Sequence, residues 1–170
     1  MLRLILPCEA YLPSYIAAYD EYCGFPRRNP LRNPHDGDLL AHYERRRQAI
    51  DLPPNRVAAT AYWLVDEEAR RFLGIIDIRH PLTDSLLRYG GHIGYAVRLG
   101  EWNKGYGTLM LSLALPHAKA LGITRCLITC DDDNTASARV MEKNGFVLGD
   151  KVENLIDGQT VLTRRYWRTL

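Results

Sequence analysis

Ile93-Gly94-Tyr95-Ala96-Val97 reads as a strand. Four residues later comes Trp102-Asn103-Lys104-Gly105-Tyr106-Gly107-Thr108, and apolar residues then recur at helical intervals to about Leu121. This strand–turn–helix passage decides the fold. Two glycines one residue apart let successive backbone N–H groups face one point, with the positive end of the helix behind them. Such a nest suits a pyrophosphate; a plain tight turn is the competing reading. A Walker loop would need Gly-Lys-Ser/Thr, and a dinucleotide fingerprint would need a third glycine, so neither is present.

Downstream, the pattern predicts a strand from Ile123 to Cys130 and a helix from Asn134 to Asn144 that stops at Gly145. Two strands, about 146–152 and 159–168, flank a turn at Asp157-Gly158. Upstream, 2–7 is a first strand and 8–22 a helix. Residues 25–34, with three prolines, form a loop, and a second helix capped by Asp36 or Asp38 runs to about Ile50. Strands follow at 56–65 and 71–79, joined at Asp66-Glu67-Glu68, then a loop at 81–90 and the strand at 91–97. Pro116 predicts a kink in the long helix or two shorter helices. The order β-α-α-β-β-β-α-β-α-β-β is of the α/β class. It gives a mixed, mostly antiparallel central sheet with helices on both faces.

The 170 residues suit a single domain over 1–170, and 46% hydrophobic with 25% charged residues is ordinary globular usage. A net charge of +2 gives no footprint for nucleic acid or for an anionic membrane surface. No apolar run approaches the roughly 18 residues of a membrane helix, and Met1–Glu9 has too short an apolar core for a secretory signal. Cys8, Cys23, Cys126 and Cys130 form no Cys-x-x-Cys pair, so no metal site is expected. A cytoplasmic location is expected. Arg45-Arg46-Arg47 reads as a solvated helix face or as a grip for phosphate.

The second half of the motif is Asn134-Thr135-Ala136-Ser137-Ala138-Arg139-Val140-Met141-Glu142-Lys143-Asn144-Gly145-Phe146. Together with the glycine turn it resembles the acetyl-coenzyme A site of the GNAT (GCN5-related) N-acetyltransferase superfamily. The branch it is most similar to holds the ribosomal-protein N-terminal acetyltransferases. The resemblance implies a GNAT-like α/β/α sandwich with acetyl-CoA as co-substrate, bound within about 90–146. It implies that Tyr95, Ala96 and Val97 offer backbone groups to the pantetheine arm and that Trp102, Asn103, Lys104, Gly105, Tyr106, Gly107 and Thr108 wrap the pyrophosphate. Asn134 would hold the far side of the arm, with Ser137 near the sulfur. A homodimer is a further implication. Trp102 and Asn103 stand where the superfamily usually has Arg or Gln and then glycine, Leu99 replaces a proline, and Met141 replaces a tyrosine.

Acetyl transfer to an amine needs three things: loss of an amine proton, a donor to the tetrahedral oxyanion, and help for the departing thiolate. His92, on the strand beside the reaction centre, is the first candidate base, unless strand alternation turns it to the other face. His80 and Glu101 are alternatives, with His80 equally a loop anchor. Ser137 is the candidate for the thiolate, and Met141→Tyr is expected to be tolerated. The leading expectation is N-acetyl transfer from acetyl-CoA to a small-molecule or peptide amine, with a non-catalytic acyl-CoA-binding regulatory module as the rival. The loop at 25–38 and the pair Tyr62-Trp63 are expected to shape the acceptor pocket.

Overall fold

The computed structural model describes residues 1–156 and 158–170; the turn expected at Asp157-Gly158 thus lies partly outside the described residues. Its first half is an antiparallel sheet in the order β1 (Leu2–Ile5), β2 (Ala59–Asp66), β3 (Arg71–Arg79), β4 (Ile93–Val97). Both faces are covered, so β2 is apolar almost throughout. Ala61, Trp63 and Val65 point to one face, while Leu64 and Tyr62 point to the other.

Helices α1 (Leu12–Asp20) and α2 (Leu39–Arg47) cover the first face with Tyr15, Ala18, Leu39 and Tyr43. Trp63 is fully buried there, stacked on Tyr15 with ring centroids 4.9 Å apart and set edge-on to Phe72 at 5.4 Å. Removing an aromatic of that size from a packed core costs about 3–5 kcal/mol. Asp38 caps α2, its Oδ1 accepting from Ala41 N–H at 2.9 Å. The helix stops at Arg47, short of the expected Ile50, because Ala49 and Asp51 take positive φ.

Helix α4 (Tyr106–Ala120) covers the opposite face with Met110, Leu111, Ala114, Leu115 and Ala118. It continues through Pro116 as one helix, where two shorter ones were an alternative. The missing proline N–H is outweighed by a face buried along its length. The expected loop at 81–90 contains a short helix, α3 (Asp84–Arg88), capped by Thr83.

A β-bulge sets the parity of β3. Leu64 pairs with Gly74 and Val65 with Phe72, so Leu73 is the extra residue. That switch sends Phe72 and Ile75 to the α1–α2 face and Ile76 and Ile78 to the α4 face. Gly74 tolerates no side chain: a Cβ would lie 2.7 Å from Ala96 O.

The second half is a three-stranded antiparallel sheet in the order β5 (Arg125–Asp131), β7 (Gln159–Thr169), β6 (Val147–Ile156), with α5 (Thr135–Lys143) packed on it. The α/β sandwich is the expected one, but its central sheet is two antiparallel ladders. Among the described residues no ladder joins β4 to β5. They meet at one pinch, where His92 N–H donates to Leu127 O at 2.7 Å and Gly90 N–H donates to Thr129 Oγ1 at 2.7 Å. Beyond it the strands part.

Gly91 makes that pinch. Its φ is +63°, and a Cβ would stand 2.5 Å from Leu127 O. Gly91→Ala is therefore expected to cost about 2–4 kcal/mol, combining backbone strain with a clash against main chain. Urea denaturation reads it; an unchanged midpoint would show that the strands can separate there without penalty.

Candidate active site

Where β4 leaves β5 behind, it has a ladder partner on one side only. Arg98 N–H donates to Leu73 O and Arg79 N–H to His92 O, so the even-numbered residues of this strand bond to β3. By alternation, the backbone groups of Tyr95 and Val97 face the open edge, and those of Ala96 face β3. The expected strand contribution thus narrows to Tyr95 and Val97. The Val97 carbonyl is already engaged, accepting from Tyr22 Oη at 2.7 Å and from Trp102 Nε1 at 2.9 Å.

A single 3₁₀ turn, Leu99–Glu101, then leads to the glycine turn. Asn103 has φ +63° and Gly105 φ +84°, and asparagine is the residue that tolerates such a conformation best after glycine. The first bond of α4 runs from Leu109 N–H to Gly105 O at 3.1 Å, which leaves the N–H groups of Tyr106, Gly107 and Thr108 at the helix end without intrahelical acceptors. The two glycines act differently. Gly105 supplies a left-handed conformation with no atom within 4 Å of its Cβ position. Gly107 supplies closeness, since a Cβ would lie 3.3 Å from Val140 and 3.6 Å from Val97. Substitution at Gly107 therefore disturbs packing first. The Tyr106 side chain packs against the core, so only its backbone faces the cradle.

The turn is fastened from below. Arg98, 6% exposed, donates to Glu21 Oε1 at 2.7 Å and to Ser14 Oγ at 3.2 Å, while Gly100 N–H donates to Glu21 Oε2 at 3.1 Å. Burial pushes the Glu21 carboxyl up, but these bonds outweigh it and hold it below its ordinary value. Trp102 packs edge-on to Phe25 at 5.5 Å, so the proline-rich loop braces the turn through this ring.

Across the open edge, Tyr95 reaches α5. Its hydroxyl lies 2.7 Å from Ser137 Oγ and 3.2 Å from Ser137 O, and burial pushes it up to about 12. Asn134 caps α5, its Oδ1 accepting from Ser137 N–H at 3.1 Å, and thereby fixes the serine. The sequence placed Tyr95 at the site but gave no sign that its hydroxyl pairs with Ser137. Nor did it point to Asn144, which is buried and donates to Thr108 O at 3.1 Å and to Val140 O at 2.9 Å, tying α5 to α4.

The candidate bases are engaged in structure. His92 Nδ1 accepts from Leu127 N–H at 2.9 Å, so the ring proton of the neutral form sits on Nε2 and no lone pair remains to take another. Burial lowers its pKa and keeps it neutral. Alternation places it on the face of Gly94 and Ala96, away from Tyr95 and Ser137. His80 Nε2 lies 2.9 Å from Thr60 Oγ1 and anchors the start of its loop. Glu101 is 6% exposed and sits between Lys104 Nζ and Arg71 Nη2, each at 2.8 Å. Met141 is fully buried, so Met141→Tyr would overpack the core, contrary to the expectation that it is tolerated. Trp63 is core and Tyr62 stacks on His117 at 4.5 Å from the opposite face of β2, so this pair does not shape a common pocket.

The clamp on Glu101 predicts a pH dependence. The hydrogen bond from Lys104, then the charge of Arg71, holds its carboxyl below the ordinary value. The unfolded chain thus binds the proton first as pH falls. The stability Glu101 contributes is present above the ordinary carboxylate pKa of about 4.3 and is lost as pH falls through the lower folded value. Urea midpoints from about pH 5 down to about pH 3 should fall more steeply in the wild type than in Glu101→Gln. Parallel curves would contradict the clamp.

Among the described residues, no helix is long and apolar enough to cross a membrane. The sequence matches the family model described as "Acetyltransferase (GNAT) domain" over residues 10–147. A search of curated proteins finds no match. Among solved structures, the chain is similar to the microcin C7 self-immunity acetyltransferase MccE in complex with acetyl-CoA and AMP. That match has a TM-score of 0.72 at 17% identity and covers 99% of this chain and 92% of that one. RimL, a ribosomal L7/L12 alpha-N-protein acetyltransferase in complex with coenzyme A, matches at 0.68 and 20% identity, covering 99% and 94%. The ribosomal-protein-S5-alanine acetyltransferase from Vibrio fischeri matches at 0.67 and 18% identity, covering 99% and 91%. At these identities the structures establish the fold, while the match over residues 10–147 establishes the family. The chain belongs to the GNAT acetyltransferases, acyltransferases that draw their acetyl group from acetyl-CoA.

Proposed function

We propose that this single domain, residues 1–170, is an N-acetyltransferase that moves the acetyl group of acetyl-CoA to a primary amine by direct attack in a ternary complex. One observation carries the reading. The Tyr95–Ser137 hydroxyl pair, 2.7 Å apart, spans the open edge of β4 beside the free N–H groups of the α4 terminus. MccE, of the same fold, holds acetyl-CoA, which supports the same donor here. Four free cysteines support a reducing, cytoplasmic compartment. A second copy of the chain would meet the outer edge of β6, where Val147 and Leu155 are exposed.

In this reading the α4 cradle, with the first-turn N–H groups and the Gly105 conformation, holds the pyrophosphate of acetyl-CoA. Acetyl-CoA supplies a thioester whose leaving thiolate has a pKa of about 8.5. Backbone N–H groups on the open edge of β4 stabilise the oxyanion without rearranging. With Tyr95 as the donor of this pair, the serine proton is free to point at the thiolate as the C–S bond breaks. The pair stands in for the tyrosine that Met141 replaces. Its contribution is a hydrogen bond, since both hydroxyls are weaker acids than the thiol they would protonate. With His92, His80 and Glu101 engaged, the amine loses its proton to water.

Consumption of acetyl-CoA with a panel of amines tests the reading; binding with no transfer to any amine would favour the non-catalytic module. Ser137→Ala and Tyr95→Phe should each lower kcat about tenfold, the scale of one hydrogen bond of about 1–1.5 kcal/mol. The double variant should be scarcely worse than either single one, because the two hydroxyls act in series. A loss of several thousand-fold in Ser137→Ala would instead make the serine an essential acid or an acyl carrier.

His92→Asn keeps an acceptor for Leu127 N–H and should retain kcat within a few-fold, whereas His92→Leu orphans that donor and should lose about 1–3 kcal/mol of stability. A loss of about 10²–10⁴-fold in a folded His92→Asn protein would restore the histidine as base.

A further inference from the structure

Donor and acceptor must approach the same carbonyl carbon, and the site described above occupies the α4–α5 side of β4. The opposite face of the strand is lined by Gly94 and Ala96, with Asp77 and Arg79 beside them on β3 and α2 along the flank. Asp77 is the register partner of Gly94. Arg79 Nη1 donates to Gly90 O at 2.8 Å and to Gly91 O at 2.9 Å, and its Nη2 lies over Gly94, 3.1 Å from where a Cβ would stand. Glycine at 94 thus leaves this part of the face to a guanidinium.

From α2, His42 and Arg46 share a face at i and i+4, and Arg46 Nη1 lies 3.1 Å from Asp77 Oδ2. The pair is about one-fifth exposed. The other carboxylate oxygen, Asp77 Oδ1, is buried without a partner. Arg32 and Arg45 bear on His42, which burial and these cations depress to about 4, and Arg56 adds its charge near Arg79. Arginines thus outnumber carboxylates on this face, where Arg46 alone contacts Asp77, on a chain whose net charge is only +2. The arginine triplet of α2 divides accordingly: Arg47 pairs with Glu44 on its own helix, while Arg46 turns to Asp77 on β3.

We propose that this face is the acceptor subsite and that it selects an amine whose carrier bears an anionic group, a carboxylate or a phosphate, held by Arg46 and Arg79. Arg46 is the specificity-determining residue, through its cation rather than through its pairing with Asp77. The proposal rests on the acetyltransferase reading, and it names the substrate class that reading leaves open.

The test compares amines matched except for charge: alanine against alaninamide, and phosphoethanolamine against ethanolamine. The wild type should prefer the anionic member of at least one pair by tenfold or more in kcat/KM, and the preferred pair identifies the anion. In Arg46→Met that preference should collapse toward unity through a higher KM for the anionic amine, with the acetyl-CoA Kd unchanged. Asp77→Asn breaks the same ion pair but keeps the cation, so it should retain the preference. Equal use of both members by the wild type overturns the proposal. So does an equal loss of preference in Asp77→Asn and Arg46→Met, which would mean that only the seating of α2 matters. If acetyl-CoA binds but no amine is acetylated, the acetyltransferase reading fails by itself. The face is then read by calorimetry with N-acetylalanine and inorganic phosphate. Saturable binding of either that is lost in Arg46→Met supports the anion subsite, and its absence in the wild type overturns it.

Discussion

The contact on which the structure depends is the pinch between two strands that never form a ladder. His92 gives its N–H to Leu127 O at 2.7 Å and accepts Leu127 N–H on its ring at 2.9 Å, a two-point clasp between one residue and one backbone unit. A full ladder here would close the sheet and consume the backbone groups of Tyr95 and Val97. No contact at all would leave two separate halves. The clasp does neither: it fixes where the strands meet and obliges them to part beyond it. The positive φ of Gly91 brings the chain into Leu127 at a distance no side chain permits.

A parted sheet must still be held to a definite width. Three connections do this, all through polar side chains. Tyr95 crosses the opening to Ser137, Asn144 ties α5 to the first turn of α4, and the Arg98–Glu21 pair fixes the turn to α1. Replacing one partner of such a buried pair leaves the other uncompensated, so these links fix geometry more than they add net stability. The apolar core works differently. Trp63 and Tyr15 on one face, and Met110 and Leu111 on the other, make β2 and β3 a slab rigid enough for the clasp to act against.

Much of the fold was legible because its signals are local. The strand–glycine–helix passage, the Asp38 cap and the alternation of β2 are set by neighbours a few residues apart. The acetyl-CoA motif was legible for the same reason. What could not be read was whatever depends on one residue's parity. The bulge at Leu73 reverses the faces of β3, and alternation puts Trp63 in the core and Tyr62 on His117, although they are adjacent in sequence. The role of His92 was also beyond the sequence, since it depends on where Leu127 N–H lies, 35 residues away. Pro116 was overrated as a breaker because its local penalty competes with the burial of a whole helix face.

In the proposed reading, the same parity separates the two sides of the reaction. Odd residues of β4 carry Tyr95 toward α5, and their backbone groups face the open edge; even residues carry Gly94 and Ala96 toward α2. A donor bound along the first set leaves the second for the acceptor. The second is where the chain places glycine and alanine, side chains too small to block an approaching amine. A base on that face would have to come from β4 itself or from the elements above it. His92 is committed to Leu127, and burial among arginines depresses His42 to about 4, too weakly basic to take the amine's proton. An arginine-rich acceptor side also disfavours a protonated amine over its neutral form by charge alone, which lowers the need for a dedicated base. Cationic surroundings on the acceptor side and a hydroxyl pair on the donor side are thus complementary: one favours the neutral nucleophile, the other receives the developing thiolate.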